Sequence, residues 1–371
     1  MIARVRPRKS DARSQGFSPV LSLRSALNDQ ALLGKSLQGA SWRSWRILLI
    51  AAMGEKLTND ERRTFTRLTK REREPNQRVE ELIGVIGRRG GRSRALATLA
   101  TYLAGLCQHK LAPGERGVVL CIAPDQRQAG IVLEYATAAF ERHRCFANWS
   151  STERRTLELN NRINLEVRAA SFRRLRGPTY VAVIADEAAF WMTDEWSSNP
   201  DTEILNAVRP GLATTRGPFI ASSPYAQRGV LYDSYRRHYG PNGDPLVLVA
   251  QGSSRTFNPS LPQSVVDRAM ERDPASASAE YLGRFRDDIE GFVPREAVEA
   301  CVSAGIFERA PQPSGSRTTP TGPCRGGDEK FSSSPPRTDQ LAARAFIRPP
   351  RPRRRAEWLA ARCPASSQSS D

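Results

Sequence analysis

The sequence predicts an α/β protein with a mainly parallel β-sheet flanked by helices. From about residue 80 to residue 290, short apolar runs alternate with segments of helical periodicity. The apolar runs are hydrophobic almost throughout, which is typical of strands buried on both faces. Strand–helix alternation of this kind favours parallel strands joined by crossover helices.

The predicted elements follow in order along this region. The apolar runs predict strands at ELIGVIG (81–87), GVVLCIAP (117–124), VAVIADEAAF (181–190) and GPFIASSPY (217–225). The intervening segments 93–107 and 125–143 have the apolar spacing of helices.

Residues 21–79 predict a helical segment ahead of this core. Trp42, Trp45, Leu48 and Leu49 recur at three- and four-residue spacings. The stretch LTNDERRTF then predicts a capped helix that begins at Thr58 or Asn59.

Both ends of the chain predict disorder. Residues 1–20 are basic and lack apolar periodicity, and residues 311–371 contain ten Pro, nine Ser and ten Arg. Such segments bury too little apolar surface to offset their conformational entropy. Residues 80–290 are thus the predicted core, and 291–310 a linker beyond it.

The charge balance predicts a polyanionic partner, with nucleic acid the first choice. The net charge is +17, from 56 Lys and Arg against 39 Asp and Glu. A genome biased toward Arg codons is the alternative explanation. The most apolar stretch, residues 47–53, is too short to span a bilayer, and no secretory signal is present, which predicts a soluble cytoplasmic protein. The scattered Cys and His residues indicate neither a zinc site nor a disulfide framework.

The stretch VIGRRGGRSRALA (85–97) has the composition of a phosphate-binding loop. Such a loop needs small residues for close approach of backbone amides, a cation and a hydroxyl for magnesium. The three are supplied by Gly87, Gly90 and Gly91, by Arg92, and by Ser93. The standard pattern has Lys at the position of Arg92 and Gly at that of Ile86. A basic turn that merely contacts DNA phosphates is the alternative.

A second motif delivers two adjacent carboxylates. The apolar run 181–185 ends in Asp186 and Glu187, at the carboxyl end of a predicted buried strand. The first carboxylate suits magnesium, and the second suits activation of water for ATP hydrolysis. An isolated Asp-Glu pair occurs often by chance, so its value lies in the combination with the loop.

Two further segments are candidates for function. Ser222, Ser223 and Pro224 end the next predicted strand, where a hydroxyl can sense the γ-phosphate, although a simple Ser-Pro turn explains them equally. A basic segment before the acidic strand offers contacts to a neighbouring subunit's phosphates or to DNA, or is a solvated face: Arg168, Arg173, Arg174 and Arg176.

Together these segments resemble the large subunit of tailed-phage terminases, the ATPase of the DNA-packaging motor. The similarity spans about residues 25–310 and includes LTKREREP, IAPDQRQA, RRLRGPTYVAVIADEAAFW, NPSLP and RDPASASAEYLGRFRDDIEGFV beside the motifs above. It implies a P-loop ATPase fold that uses ATP and Mg²⁺, with partners in double-stranded DNA, a small terminase subunit and a portal, a homo-oligomeric ring at the capsid, and the bacterial host cytoplasm as its location.

The resemblance also implies roles for individual residues. Glu187 corresponds to the catalytic carboxylate, Asp186 and Ser93 to the metal ligands, and Ser222–Pro224 to the coupling motif. LTKREREP corresponds to a segment near the adenine. The implied ATP contacts are Gly87, Arg88, Arg89, Gly90, Gly91, Arg92, Ser93 and Arg94.

Two departures from the family pattern affect the expected activity. Arg92 replaces the usual lysine, and its planar guanidinium is not equivalent to a compact ammonium. Residues 311–371 do not resemble the nuclease domain that such subunits carry. The composition shift suggests a frameshifted or truncated prophage gene without a nuclease. The alternatives are a catalytically weak nucleotide- and DNA-binding remnant, a helicase-type motor, and a complete terminase that also cuts DNA.

Overall fold

A computed structural model describes residues 17–142, 149–152, 155–171, 175–191, 200–212 and 217–288 of the chain. The chain divides into two compact units, Met1–Gly305 and Ile306–Asp371, and the second lies wholly outside the described residues. The predictions for residues 1–16, for the linker 291–310 and for the tail 311–371 also fall outside the described residues, so they stay predictions.

Ten strands occur among the described residues, eight of them in one sheet. The strands are β1 (Phe17–Pro19), β2 (Glu81–Ile86), β3 (Cys107–His109), β4 (Gly117–Ala123), β5 (Trp149–Thr152), β6 (Thr156–Leu159), β7 (Ile163–Ala169), β8 (Thr179–Asp186), β9 (Phe219–Ser222) and β10 (Val247–Gly252). The large sheet has the order β10-β2-β9-β8-β4-β7-β6-β5. Neighbours from β10 to β7 are parallel, whereas β6 is antiparallel to both β7 and β5. The predicted mainly parallel α/β fold is therefore confirmed.

Ten α-helices connect and cover these strands in the described part of the chain. They are α1 (Leu23–Asn28), α2 (Arg43–Ala52), α3 (Asn59–Thr69), α4 (Arg92–Gly105), α5 (Gln126–Arg142), α6 (Pro200–Val208), α7 (Gly229–His238), α8 (Ser254–Phe257), α9 (Gln263–Arg272) and α10 (Pro274–Leu282). No helix in this part of the chain is long and apolar enough to cross a membrane.

The core lies on both faces of the sheet because successive strand residues point to opposite faces. In β2, Leu82 and Ile86 join the cluster formed with α1 to α5. Ile83 and Val85 join the other cluster, with α6 and α7. Burial on both faces explains why the sequences of the central strands are continuously apolar.

The four predicted strands are present, but the acidic one ends earlier than predicted. β8 ends at Asp186, and Ala188–Phe190 form a short 3-10 helix. The sequence prediction missed β10 and the β5–β7 edge, where β7 shows the alternating burial of an amphipathic strand at Ile163, Leu165 and Val167.

The predicted N-terminal tail, residues 1–20, extends too far into the folded protein. Phe17–Pro19 form β1 and pair antiparallel with β3. Three residues are too few for a periodic pattern, and their partners lie about 90 positions away in the sequence. This pairing is therefore set by tertiary contact and is not visible in local sequence.

Helix α3 begins at Asn59 with Thr58 as its N-cap, in agreement with the start predicted at Thr58 or Asn59. The Thr58 side chain accepts from the Glu61 amide, and the Glu61 side chain accepts from the Thr58 amide. This reciprocal capping box satisfies two amides that the first helical turn leaves without intrahelical partners.

Candidate functional site

The candidate site is a cleft at the carboxyl ends of the central parallel strands. β2, β9, β8 and β4 are neighbours in the sheet, so the segments that follow them meet at one edge. The cleft has a volume of about 790 Å³ and is lined by residues 88–94, Glu187 and Ser223 among others. Clefts at this edge are the usual ligand sites of open α/β sheets.

Glycine is required in the loop between β2 and α4 for two physical reasons. Gly91 has φ +79°, and a β-carbon there would lie 2.8 Å from the ring of Trp42. A β-carbon on Gly87 would lie 2.5 Å from the Ser254 Oγ. The loop thus combines a left-handed turn with close backbone approach, which only glycine accommodates without strain.

The loop is held by donors from elements on either side. Trp45 Nε1 donates to the Gly90 carbonyl at 2.6 Å. Ser254 Oγ donates to the Arg88 carbonyl at 2.5 Å, and Asn258 Nδ2 donates to the Arg89 carbonyl at 3.0 Å. These bonds fix three loop carbonyls, and the loop leads directly into α4, whose first amides have no intrahelical acceptors. A loop of this geometry at a helix N-terminus is suited to bind an anion.

The side chain of Arg92 is buried inside the site and is 6% exposed. Its Nη1 donates to the carbonyls of Ile86 at 2.5 Å and Gly87 at 3.1 Å. Its Nη2 forms a hydrogen-bonded ion pair with Glu187 Oε1. The guanidinium therefore bridges the start of the loop and the carboxylate that follows β8.

Ser93 and Asp186 lie together at the base of the cleft. The Ser93 Oγ donates to Asp186 Oδ2 at 2.6 Å. Asp186 is 1% exposed, and this burial raises the pKa of its carboxyl, against the opposing effects of Arg92 and Ser93. Asp186 Oδ1 has no hydrogen-bond partner and lies 4.0 Å from Arg92 Nε.

These two residues fit a magnesium ion. Mg²⁺ in nucleotide sites takes one or two carboxylates, with waters and phosphates completing its shell. The buried, unpartnered Asp186 Oδ1 and the adjacent Ser93 hydroxyl supply suitable oxygens. Among the described residues no group of three or more His, Cys, Asp or Glu side chains could hold a metal, and a substrate-bound magnesium does not need one.

Glu187 occupies a strained backbone position after the strand, with φ +54°. Its amide donates to the Ala221 carbonyl at 2.9 Å, which ties this turn to β9. Its Oε2 lies 3.4 Å from both the Ser222 Oγ and the Ser223 amide. The carboxylate thus links the loop arginine to the Ser222–Ser223 segment, and Pro224 follows as a buried residue.

The other predicted loop arginines occupy the rim of the cleft. Arg88 pairs with Glu280 of α10 and its side chain is 58% exposed. Arg89 adopts φ +64° and is exposed. Arg94 stacks its guanidinium 5.0 Å from the ring centroid of Trp42 and donates to the Lys35 carbonyl. All three line the cleft, so they remain available to a polyanion.

The predicted basic segment before β8 is divided by the fold. Arg168 lies near the carboxyl end of β7 and pairs with Glu166 at 2.7 Å. Arg176 precedes β8, whose eight residues span roughly 25 Å, so it lies toward the opposite edge of the sheet from the loop. Arg173 and Arg174 lie outside the described residues.

Several residues that shape the cleft were not predicted as site residues. Trp42 and Trp45 were assigned to helical packing, yet they contact Gly91 and Gly90. Asn258 and Glu280 come from NPSLP and from α10, far along the chain. The only sequence signal for them is the family resemblance, because their contacts with the loop are tertiary.

The segment LTKREREP does not contribute to this cleft in the described structure. Arg71 is buried and donates to the carbonyls of Gly240, His238, Asp244 and Val247. Glu74 accepts from Arg62 and from the Leu57 amide. These side chains secure α3 against the turn before β10, so the expected position near an adenine is not supported.

Fold and site define a P-loop type of α/β architecture, with a phosphate-type loop after β2 and two acidic residues at the end of β8. No family model matches the sequence, and no curated protein matches it.

Among solved structures, the chain is similar to a mutant form of the ATPase domain of the Thermus phage P74-26 large terminase. The identity is 19% and the TM-score 0.45, over 63% of this chain and 96% of that one. A second structure of that domain gives 20% identity and a TM-score of 0.41, over 62% of this chain and 94% of that one. The large terminase of bacteriophage HK97 gives 15% identity and a TM-score of 0.43, over 56% of this chain and 47% of that chain. The similarity therefore spans about half of that terminase. These neighbours belong to the family that the sequence motifs resemble.

Proposed function

We propose that this chain is the ATPase motor of a phage large terminase, which hydrolyses ATP with Mg²⁺ to translocate double-stranded DNA into a capsid. The observation that carries the proposal is the arrangement of Asp186 and Glu187 opposite the loop. Ser93 bonds the first carboxylate, and Arg92 bonds the second. A phosphate-type loop, metal-type ligands and a second carboxylate are the parts that ATP hydrolysis requires.

Each residue has a distinct role in this proposal. The loop amides hold the phosphates, and Arg92 neutralises their charge together with Arg88, Arg89 and Arg94. Asp186 and Ser93 would hold a magnesium ion, which would neutralise charge on the phosphate oxygens. Glu187 accepts the proton of the attacking water, and its contact with Ser222 and Ser223 carries the change toward the coupling segment.

The proposal extends to partners by resemblance. The expected partners are DNA, a small terminase subunit, a portal and further copies of the chain in a ring. The expected location is the bacterial host cytoplasm. Arg168 and Arg176 are assigned to DNA or to a neighbouring subunit's phosphates, as are Arg173 and Arg174. The proposed division is a helical segment 21–79, an ATPase core 80–290, a linker 291–310 and a tail 311–371 without nuclease motifs.

The test is ATP hydrolysis by the full chain with Mg²⁺, with and without double-stranded DNA. We expect turnover that DNA stimulates and that Glu187→Gln lowers by at least a hundredfold, because the amide cannot accept the water proton. Glu158→Gln, on β6 near the far edge of the sheet, is the matched control and should retain turnover. Equal turnover in wild type and Glu187→Gln would contradict the assigned role of Glu187.

A catalytically weak nucleotide- and DNA-binding remnant is the second candidate. The observation that favours it is the ion pair of Arg92 with Glu187, which engages the proposed base. Arg92→Lys separates the two candidates. Absence of turnover in wild type, with turnover in Arg92→Lys, would identify a site disabled by one substitution.

A further inference from the structure

Three of the five guanidinium donors of Arg92 are engaged by the protein itself. A guanidinium has five N–H groups. Two Nη1 groups bond the carbonyls of Ile86 and Gly87, and one Nη2 group bonds Glu187. The Nε group is buried without a hydrogen-bond partner, 4.0 Å from Asp186 Oδ1. The buried Nε–H and one N–H on Nη2 are thus the two donors left for any other acceptor.

A nucleotide phosphate and Glu187 therefore compete for the same side of Arg92. The two carbonyl bonds hold Nη1 at the start of the loop, which leaves Nη2 as the end of the guanidinium that faces the acidic residues. The Arg92 side chain is 6% exposed and that of Glu187 is 20% exposed, so water screens their attraction only weakly. A phosphate that takes both N–H groups of Arg92 Nη2 therefore requires release of the carboxylate.

We propose that Arg92 is a positioning residue for Glu187, and that nucleotide binding exchanges the Arg92–Glu187 ion pair for an Arg92–phosphate pair. This inference rests on the proposed nucleotide site. The exchange releases Glu187 Oε1 at the moment when a phosphate arrives. Because Glu187 Oε2 contacts the Ser223 amide, the released carboxylate stays tied to the coupling segment.

The planar fork makes this a property of arginine. An ammonium presents three donors from a single nitrogen, whereas the guanidinium spreads its donors over three nitrogens, of which Nη1 and Nη2 here reach different groups. Arg92 can thus hold the loop carbonyls with Nη1 while it exchanges partners at Nη2. The substitution that departs from the family pattern therefore adds a contact that regulates the proposed base.

The test is a double-mutant cycle on nucleotide affinity, using the full chain. Wild type, Arg92→Met, Glu187→Gln and the double variant are titrated with a non-hydrolysable ATP analogue in EDTA by isothermal titration calorimetry. We expect Glu187→Gln to tighten binding about tenfold, equivalent to about 1.4 kcal/mol, when Arg92 is present. In the Arg92→Met background the same change should alter binding by less than about twofold, since no pair remains to break.

A matched cycle with Arg94→Met in place of Arg92→Met is the control. Arg94 lies two residues later and stacks on Trp42, so it should show no coupling to Glu187. Thermal unfolding of each variant verifies that it is folded. Equal tightening with and without Arg92 would mean simple repulsion between Glu187 and the phosphates, and it would overturn the proposal. Absence of tightening in the Arg92 background, or absence of binding in every variant, would overturn it as well.

The outcome also separates this proposal from the proposed function. Mg²⁺-ATP turnover without coupling in the cycle would leave the ATPase assignment intact and reject the exchange. Coupling in the cycle without turnover in wild type would support the exchange and reject the motor.

Discussion

At the scale of single residues, the conformation of the loop between β2 and α4 depends on glycines, which have no β-carbon. Gly91 turns the chain into α4 with a positive φ and leaves room for the Trp42 ring. A β-carbon at this position meets two separate costs, the left-handed backbone and the contact with the indole. Two other glycines serve as comparisons. Gly114 has φ +80° with nothing within 4 Å, so a β-carbon there meets the backbone cost alone. Gly130 lies in α5 with open space around it, so a β-carbon there meets neither cost.

We expect Gly91→Ala to destabilise the protein by about 2 kcal/mol, from left-handed strain of about 1 kcal/mol plus displacement of Trp42. Gly114→Ala should cost only the strain, about 1 kcal/mol. Gly130→Ala should stabilise by about 0.5–1 kcal/mol, because alanine is the better helix former. Urea unfolding of the three variants measures these differences. A cost at Gly91 no larger than that at Gly114 would show that Trp42 does not restrict the loop.

At the scale of elements, α3 is secured by an ion pair as well as by its capping box. Glu74 lies beyond the end of α3 and accepts from Arg62 Nε and Nη2, each at 2.9 Å. It also accepts from the Leu57 amide, just before the helix begins. One carboxylate therefore joins the first turns of α3 to the segment that follows it, and the Arg62 hydrogen bond lowers its pKa to about 2.

This pKa predicts a pH window for the stability that Glu74 contributes. The native-state pKa lies below the ordinary value of 4.5, so the contribution is complete above that value. It is lost as the pH falls through about 4.5 toward about 2, where the carboxyl becomes protonated. The difference in unfolding free energy between wild type and Glu74→Gln should shrink over this range. It should also shrink with added salt, because Arg62 is partly exposed.

Chemical unfolding at a series of pH values measures this difference. Glu72→Gln, which removes the same charge at an exposed position two residues earlier, is the control. A difference for Glu74→Gln that persists unchanged at pH 2 would indicate a packing effect and contradict the ion-pair explanation.

At the scale of the whole molecule, the net charge of +17 bears on the proposed DNA partner. Each Lys or Arg that neutralises a phosphate releases counterions, so affinity for DNA falls with salt. The full chain should bind double-stranded DNA of unrelated sequences with similar affinity. It should lose roughly 10³-fold in affinity between 50 and 200 mM salt if about six phosphates are contacted.

Fluorescence anisotropy with labelled duplexes of two unrelated sequences measures this dependence. An affinity for DNA that does not change with salt would show that the net positive charge of the protein does not contribute to DNA binding. A strong preference for one duplex would replace the proposed translocation with sequence-specific binding.

Sequence patterns alone predicted the central elements of this protein. Burial on both faces makes parallel strands continuously apolar, which located β2, β4, β8 and β9. Local chemistry located the N-terminus of α3 at Thr58 or Asn59, and it located the glycines of the loop. The order of these motifs along the chain predicted that Ser93, Asp186 and Ser222 would share a site.

Tertiary structure decided what local sequence cannot encode. Donors from Trp45, Ser254 and Asn258 hold the loop, although these residues lie up to about 170 positions from it. Arg92 was predicted as a phosphate ligand, but the fold also places it against Glu187, 95 positions later. Contacts at such separations depend on which strands become neighbours, so the packing of the sheet determined the partners of the residues that the sequence identified.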